Sequence, residues 1–161
     1  MSAHELNSIR DYPSFPEFKN NGFDMSKIDK RLILKLQKKR NSTGIPIIPS
    51  PLREGWYRLS GSSASRHYAV NRASDAGDLF VKRGNIIDFW LECVKDNDIG
   101  GIGLYFDTTG PDGKPWIMMH IDLRPGKRAM WIRDEGKYYS INRDKKAFWN
   151  AFKKVIAKDI G

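Results

Sequence analysis

The chain has three histidines, and two of them stand where side chains can do chemistry. His67 lies in the polar run Ser65-Arg66-His67-Tyr68-Ala69-Val70-Asn71-Arg72-Ala73-Ser74-Asp75, and Asp78 follows closely. His120 lies in Met118-Met119-His120-Ile121-Asp122, inside a second apolar run. Two imidazoles and a carboxylate are the donors of a three-ligand zinc site, whose fourth position stays open for water. Asp122, two residues after His120, falls on the same face of a strand and is a candidate base or further ligand. His4 carries no such pattern and is assigned no role. Cys93 is the single cysteine, which excludes an internal disulfide and a Cys-rich zinc finger. On the apolar face of an expected helix it reads as a small buried hydrophobe.

The elements that must position these groups follow from periodicity. Residues 1–24 are polar, broken by Pro13, Pro16 and Gly22, and read as an irregular arm whose Phe15, Phe18 and Phe23 dock on the body. Residues 25–161 are expected to form one domain. Met25, Ile28, Leu32 and Leu36 repeat at helical spacing, so a helix is expected from Ser26 to Arg40, with Ser26 as N-cap. Ile45–Pro49 is a short extended run whose prolines place it at an edge or at strand ends. Asp78–Lys82 reads as a strand. Asn85–Asp96 reads as a helix that buries Ile86, Phe89, Trp90 and Cys93.

The second half of the chain is richer in strands. Gly100 to Phe106 turns into one, but its glycines are too few and wrongly spaced to cradle phosphate. After the turn Gly110-Pro111-Asp112-Gly113, the runs Trp116–Leu123, Ala129–Arg133 and Tyr138–Ile141 read as strands of an antiparallel meander. Asn142 is expected to cap a last helix through Ile156, with Phe148, Phe152, Val155 and Ile156 inward. The expected class is α+β, with helices packed on a mostly antiparallel sheet.

Bulk properties bound the partners. With 161 residues and 40% hydrophobic content, one ordinary core is within reach. No apolar run approaches the roughly 18–20 residues needed to cross a bilayer, so no membrane span is expected. No signal peptide is visible at Met1-Ser2-Ala3-His4, so synthesis in a reducing cytoplasm is expected. The net charge of +9 favours a polyanionic partner: nucleic acid, an acidic membrane face or an envelope polymer. Lys27–Arg40 alone holds seven basic residues against Asp29.

In order along the chain, these pieces resemble the zinc peptidases of the D-alanyl-D-alanine carboxypeptidase and phage endolysin type. Ser65-Arg66-His67 resembles the Ser-x-His that supplies the first ligand. Asn71-Arg72-Ala73-Ser74-Asp75 resembles the Gly-x-Ala-x-Asp segment of the second. Met119-His120-Ile121-Asp122, with Trp131 following, resembles the His-x-Asp strand of the third. Ile45–Arg53 and Gly101–Tyr105 fit strands flanking these motifs, so the likeness covers about residues 45–133.

The resemblance implies zinc held by His67, Asp75 and His120, Asp122 as general base, and Arg53 facing an oxyanion or a substrate carboxylate. It implies the peptide part of peptidoglycan as substrate, hence an enzyme of the cell wall or, if phage-derived, of a virion. Asp78 is the alternative ligand. It stands in Ala76-Gly77-Asp78, whereas Asp75 is nearer the family's spacing, one residue beyond it. The acid that many members carry three residues before the last ligand is absent; Ile117 holds the place. Two other readings stay open: a non-catalytic structural or virion protein of this fold, and a basic nucleic-acid module using Lys27–Arg40, Trp131, Tyr138 and Tyr139. No helix-turn-helix or RNA-binding signature accompanies the second.

Overall fold

The structure, a computed structural model, describes residues 23–160. Most of the expected arm, with His4, Phe15 and Phe18, lies outside the described residues. Phe23, at its end, packs edge-on against Tyr57 with ring centroids 6.5 Å apart.

Helix α1 runs Lys30–Thr43. It starts later than expected because Asp29, not Ser26, is its N-cap and accepts from the Arg31 N–H. Met25–Lys27 instead forms a separate 3₁₀ turn capped by Asp24. Gly44 ends α1 at φ 67°, a left-handed C-cap that a residue with a Cβ adopts only at a cost. Helix α2, Ile86–Lys95, buries the expected Ile86, Phe89, Trp90 and Cys93. Helix α3, Lys145–Ile160, is capped by Asp144, which accepts from the Ala147 N–H. Asn142 was the expected cap, but its amide is engaged by the Arg128 carbonyl.

Six strands form one sheet: β1 Ile47–Pro49, β2 Ala76–Val81, β3 Gly101–Tyr105, β4 Ile117–Asp122, β5 Ala129–Asp134 and β6 Lys137–Ser140. Their spatial order is β1-β2-β4-β3-β5-β6, which puts the proline-ended β1 at an edge, as its composition requires. The sheet is mixed and not antiparallel throughout, because β3 and β5 run parallel side by side while the other four neighbouring pairs are antiparallel. The meander expected from β4 to β5 does not form. The chain leaves β4 at Asp122, crosses the start of β3 through residues 123–128 and enters β5 beyond it. Strands stand about 4.8 Å apart, so six residues readily span the two-strand gap. Arg128 fixes the crossing: its guanidinium donates to the carbonyls of Val94, Asp96 and Ile99.

The two-residue repeat of the strands separates the sheet's faces. Leu79, Val81, Ile102, Leu104, Ile117, Met119, Ile121 and Ile132 point one way and join Leu32, Leu36, Phe89 and Phe148 of the helices in one core. The alternate positions point the other way, away from the helices, and hold the polar residues considered next. No helix among the described residues is long and apolar enough to cross a membrane.

Candidate metal centre

Asp78 and His120 are direct cross-strand partners on β2 and β4. The same row continues through Gly103 on β3 to Trp131 on β5. His67 comes from the loop before β2. Hydrogen bonds fix it on both sides: the Arg58 N–H donates to the His67 carbonyl at 2.7 Å, and the Ala69 N–H to the Arg58 carbonyl at 2.8 Å. Sheet and loop thus bring three donor atoms together. His67 Nε2 lies 3.2 Å from His120 Nδ1 and 3.5 Å from Asp78 Oδ1, while His120 Nδ1 and Asp78 Oδ1 are 2.9 Å apart. Both histidines are buried. This group can hold a metal ion.

The glycines of Gly101-Ile102-Gly103 make room for it. A Cβ at Gly101 would collide with the Asp122 carboxylate, and one at Gly103 with the Trp131 indole. Trp131 in turn sits against His120, with ring centroids 5.2 Å apart. The run that fails as a phosphate loop therefore keeps the floor of the site thin.

Asp122 lies on the expected face, beside His120, but it does not reach the cavity. It is fully buried, and its Oδ2 accepts from the His120 Nε2–H at 2.9 Å. Its remaining acceptor sites are occupied by the Arg124 N–H and guanidinium. This is how a buried carboxylate fixes the tautomer and orientation of a metal-ligating imidazole. His67 has no counterpart: its Nδ1 is buried with no hydrogen-bond partner among the described residues.

The charges hold one another in place. Burial alone would lower the His120 pKa, but hydrogen bonds to Asp122 and Asp78 outweigh it and raise it to about 9. Burial would raise Asp78, yet His120 and His67 keep it well below the usual carboxylate range. Asp122 is held low likewise, against its burial, by His120 and Arg124. Without a metal, His120 is thus an imidazolium between two carboxylates.

The structure does not bring Asp75, the expected ligand, into this group. Its carboxylate lies against the guanidinium of Arg66 and 3.7 Å from that of Arg72. Arg72 also donates to the Ser65 carbonyl at 3.0 Å, so Asp75 braces the loop that carries His67. Asp78 stands in its place. The signal for it was in the chain: Asp78 opens the apolar run Leu79-Phe80-Val81, where a strand can set it opposite another strand's histidine. Arg53 is also elsewhere. It is exposed, paired with Glu54 at 2.8 Å, and does not line the cavity.

That cavity, about 360 Å³, opens over the three donor atoms. Arg58, Arg66 and Arg124 line it, together with Tyr105, Trp131 and Tyr138. Arg66 and Arg124 are held by Asp75 and Asp122. Arg58 forms no close ion pair among the described residues, although its charge acts on nearby Glu54; its Nε donates only weakly to the Glu54 carbonyl at 3.4 Å. Among the described residues, Asp78 is the only carboxylate in the lining.

Comparison with protein-family models, with curated proteins and with solved structures gives no match to this chain.

Proposed function

We propose that His67, Asp78 and His120 bind zinc and that the centre hydrolyses the peptide part of peptidoglycan. The observation that carries the zinc assignment is the spacing of the donors. With ligand bonds of about 2.0–2.1 Å, two donors on a tetrahedral zinc stand about 3.3–3.4 Å apart. The three separations here, 3.2, 3.5 and 2.9 Å, approximate one face of such a tetrahedron. Two nitrogens and one carboxylate oxygen suit zinc better than the all-oxygen shells of magnesium or calcium. The cavity is lined by all three donor residues, so a zinc held by them would keep a position open to it, as in a catalytic centre and not in a closed structural one.

Zinc held by His67, Asp78 and His120 would supply the acidity of a bound water and the polarisation of a substrate carbonyl. The chain's own residues supply the rest. Asp122 holds His120 by its Nε2 and so leaves Nδ1 beside Asp78, where it would serve as the ligand atom, a supporting role in place of the base expected from the motif. Arg58 replaces Arg53 as the arginine available to an oxyanion or a substrate carboxylate, for which its planar fork is suited. The ordered likeness of residues 45–133 to the carboxypeptidase and endolysin peptidases supports the substrate class, and the net charge of +9 suits an anionic envelope.

A non-catalytic reading is favoured by one observation. Among the described residues no carboxylate other than Asp78 lines the cavity, and Ile117, at the place of the family's acid, points into the core. The zinc-loaded protein is therefore incubated with purified peptidoglycan and the release of peptide fragments measured. Release that is lost in Arg58→Ala, with zinc retained, supports hydrolysis. A zinc-loaded protein that binds peptidoglycan and cuts none of it supports the non-catalytic reading.

A further inference from the structure

The row of residues that supplies the metal site continues outward as an aromatic shelf. A second hollow, about 380 Å³, adjoins the first and shares Tyr105, Trp131 and Tyr138 with it. Its outer wall is Ser140 and Arg143, and no carboxylate among the described residues lines it. Tyr138 is 62% exposed, unusual for a ring on a sheet, and stands edge-on to Tyr105 with centroids 6.1 Å apart. The Trp131 Nε1–H is satisfied by the Tyr105 hydroxyl at 3.1 Å. The rings are thus fixed by one another and by two guanidiniums, Arg133 over Tyr105 and Tyr138 at 5.9 Å and Arg124 over Trp131 at 5.6 Å, while Tyr138 keeps exposed surface on the hollow.

We infer that this shelf is a saccharide subsite, which takes an N-acetylated hexosamine ring of the glycan to which the cleaved peptide is attached. The identity of that glycan rests on the proposed peptidoglycan substrate. A pyranose has an apolar C–H face that lies on an aromatic ring and an edge of hydroxyl and amide groups for hydrogen bonds. Apolar rings with a serine and an arginine at the margin match that division. A volume of this size falls in the range that holds small ligands. Continuity with the metal cavity sets the sugar and its attached peptide on one surface.

The positive charge does not favour a nucleic acid here. Helix α1 packs on the opposite face, where Leu32 reaches Gly77. Its Lys35 and Lys39 are spent on Asp96 and Asp98. Beside the shelf, Arg133 is paired with Asp107. A single strand requires a cationic track along its backbone as well as rings for its bases.

The test titrates the full-length, isotope-labelled protein with a tetramer of N-acetylglucosamine. The Trp131 indole signal, assigned by its loss in Trp131→Phe, is followed with and without zinc. The expected result is a saturable shift in both forms, independent of salt because the probe is uncharged. Tyr138→Ala should weaken it on the order of tenfold, as for loss of one stacked ring, with zinc content unchanged. A saturable saccharide shift in a protein that takes up no zinc would support the subsite and remove the metal centre. No saturable shift, equal binding by Tyr138→Ala, or a shift caused by a single-stranded oligonucleotide and not by the saccharide would overturn the inference.

Discussion

The two faces of the sheet are built from the same strands and do opposite work. On β4, Ile117, Met119 and Ile121 enter the core, while His120 and Asp122 turn to the other side. On β2, Leu79 and Val81 go in and Asp78 goes out. The helix-covered face contributes burial, which is non-directional and worth about 25 cal/mol per Å² of apolar surface. The open face holds buried charge, which is costly unless each group has a partner. The site thus borrows its rigidity from the core behind it. One strand residue fixes its neighbour on the opposite face.

Variants on the two faces should therefore separate stability from metal binding. The largest effect expected is that of His67→Ala, which removes a donor from the loop alone. Zinc content, measured by elemental analysis after dialysis, should fall to background while the circular dichroism of the sheet is kept. Retention of a full zinc equivalent would break the comparison on the site side. On the core side, Ile121→Ala should cost about 2–5 kcal/mol in urea denaturation, the usual range for truncating a fully buried aliphatic. It should still bind one zinc wherever it is folded. Zinc loss in that variant without loss of stability would show that the faces are not separable.

A smaller effect sharpens the role of Asp122. Asp122→Asn should weaken zinc about 10–100-fold, the size usual for a partner behind a ligating histidine. Complete loss of metal would instead make it a ligand. Smallest is the pH dependence of the metal-free protein. The His120 pKa is raised to about 9 in the folded state, above its ordinary value of 6.5. The imidazolium's contribution is then fully present below about pH 6.5 and is lost as pH rises through about 9. Thermal unfolding across that window should show the decline, and His120→Gln should flatten it.

Apolar periodicity made much of this legible in advance. Leu32 with Leu36, and Phe89 with Cys93, mark helix faces by spacing alone. His67 and His120 were readable as a pair from their motifs. The choice between Asp75 and Asp78 was not, because counting along a loop does not reveal which residue a strand sets opposite His120. Asp75 is claimed by Arg66 and Arg72, a pairing within the loop that has no period to read. The insertion of β3 between β4 and β5 was hidden for a similar reason. Six residues fit a hairpin or a crossing equally well, and Arg128 settles it through carbonyls some thirty residues away. Asp122 was placed on the right face by the two-residue repeat, but its enclosure by Arg124 depends on packing.

Metal content decides the central claim most directly, measured side by side for the wild type, Asp75→Ala and Asp78→Ala. One zinc per chain is expected in the wild type and in Asp75→Ala, and none in Asp78→Ala. A wild type that holds no zinc, or zinc lost from Asp75→Ala and kept by Asp78→Ala, would contradict it.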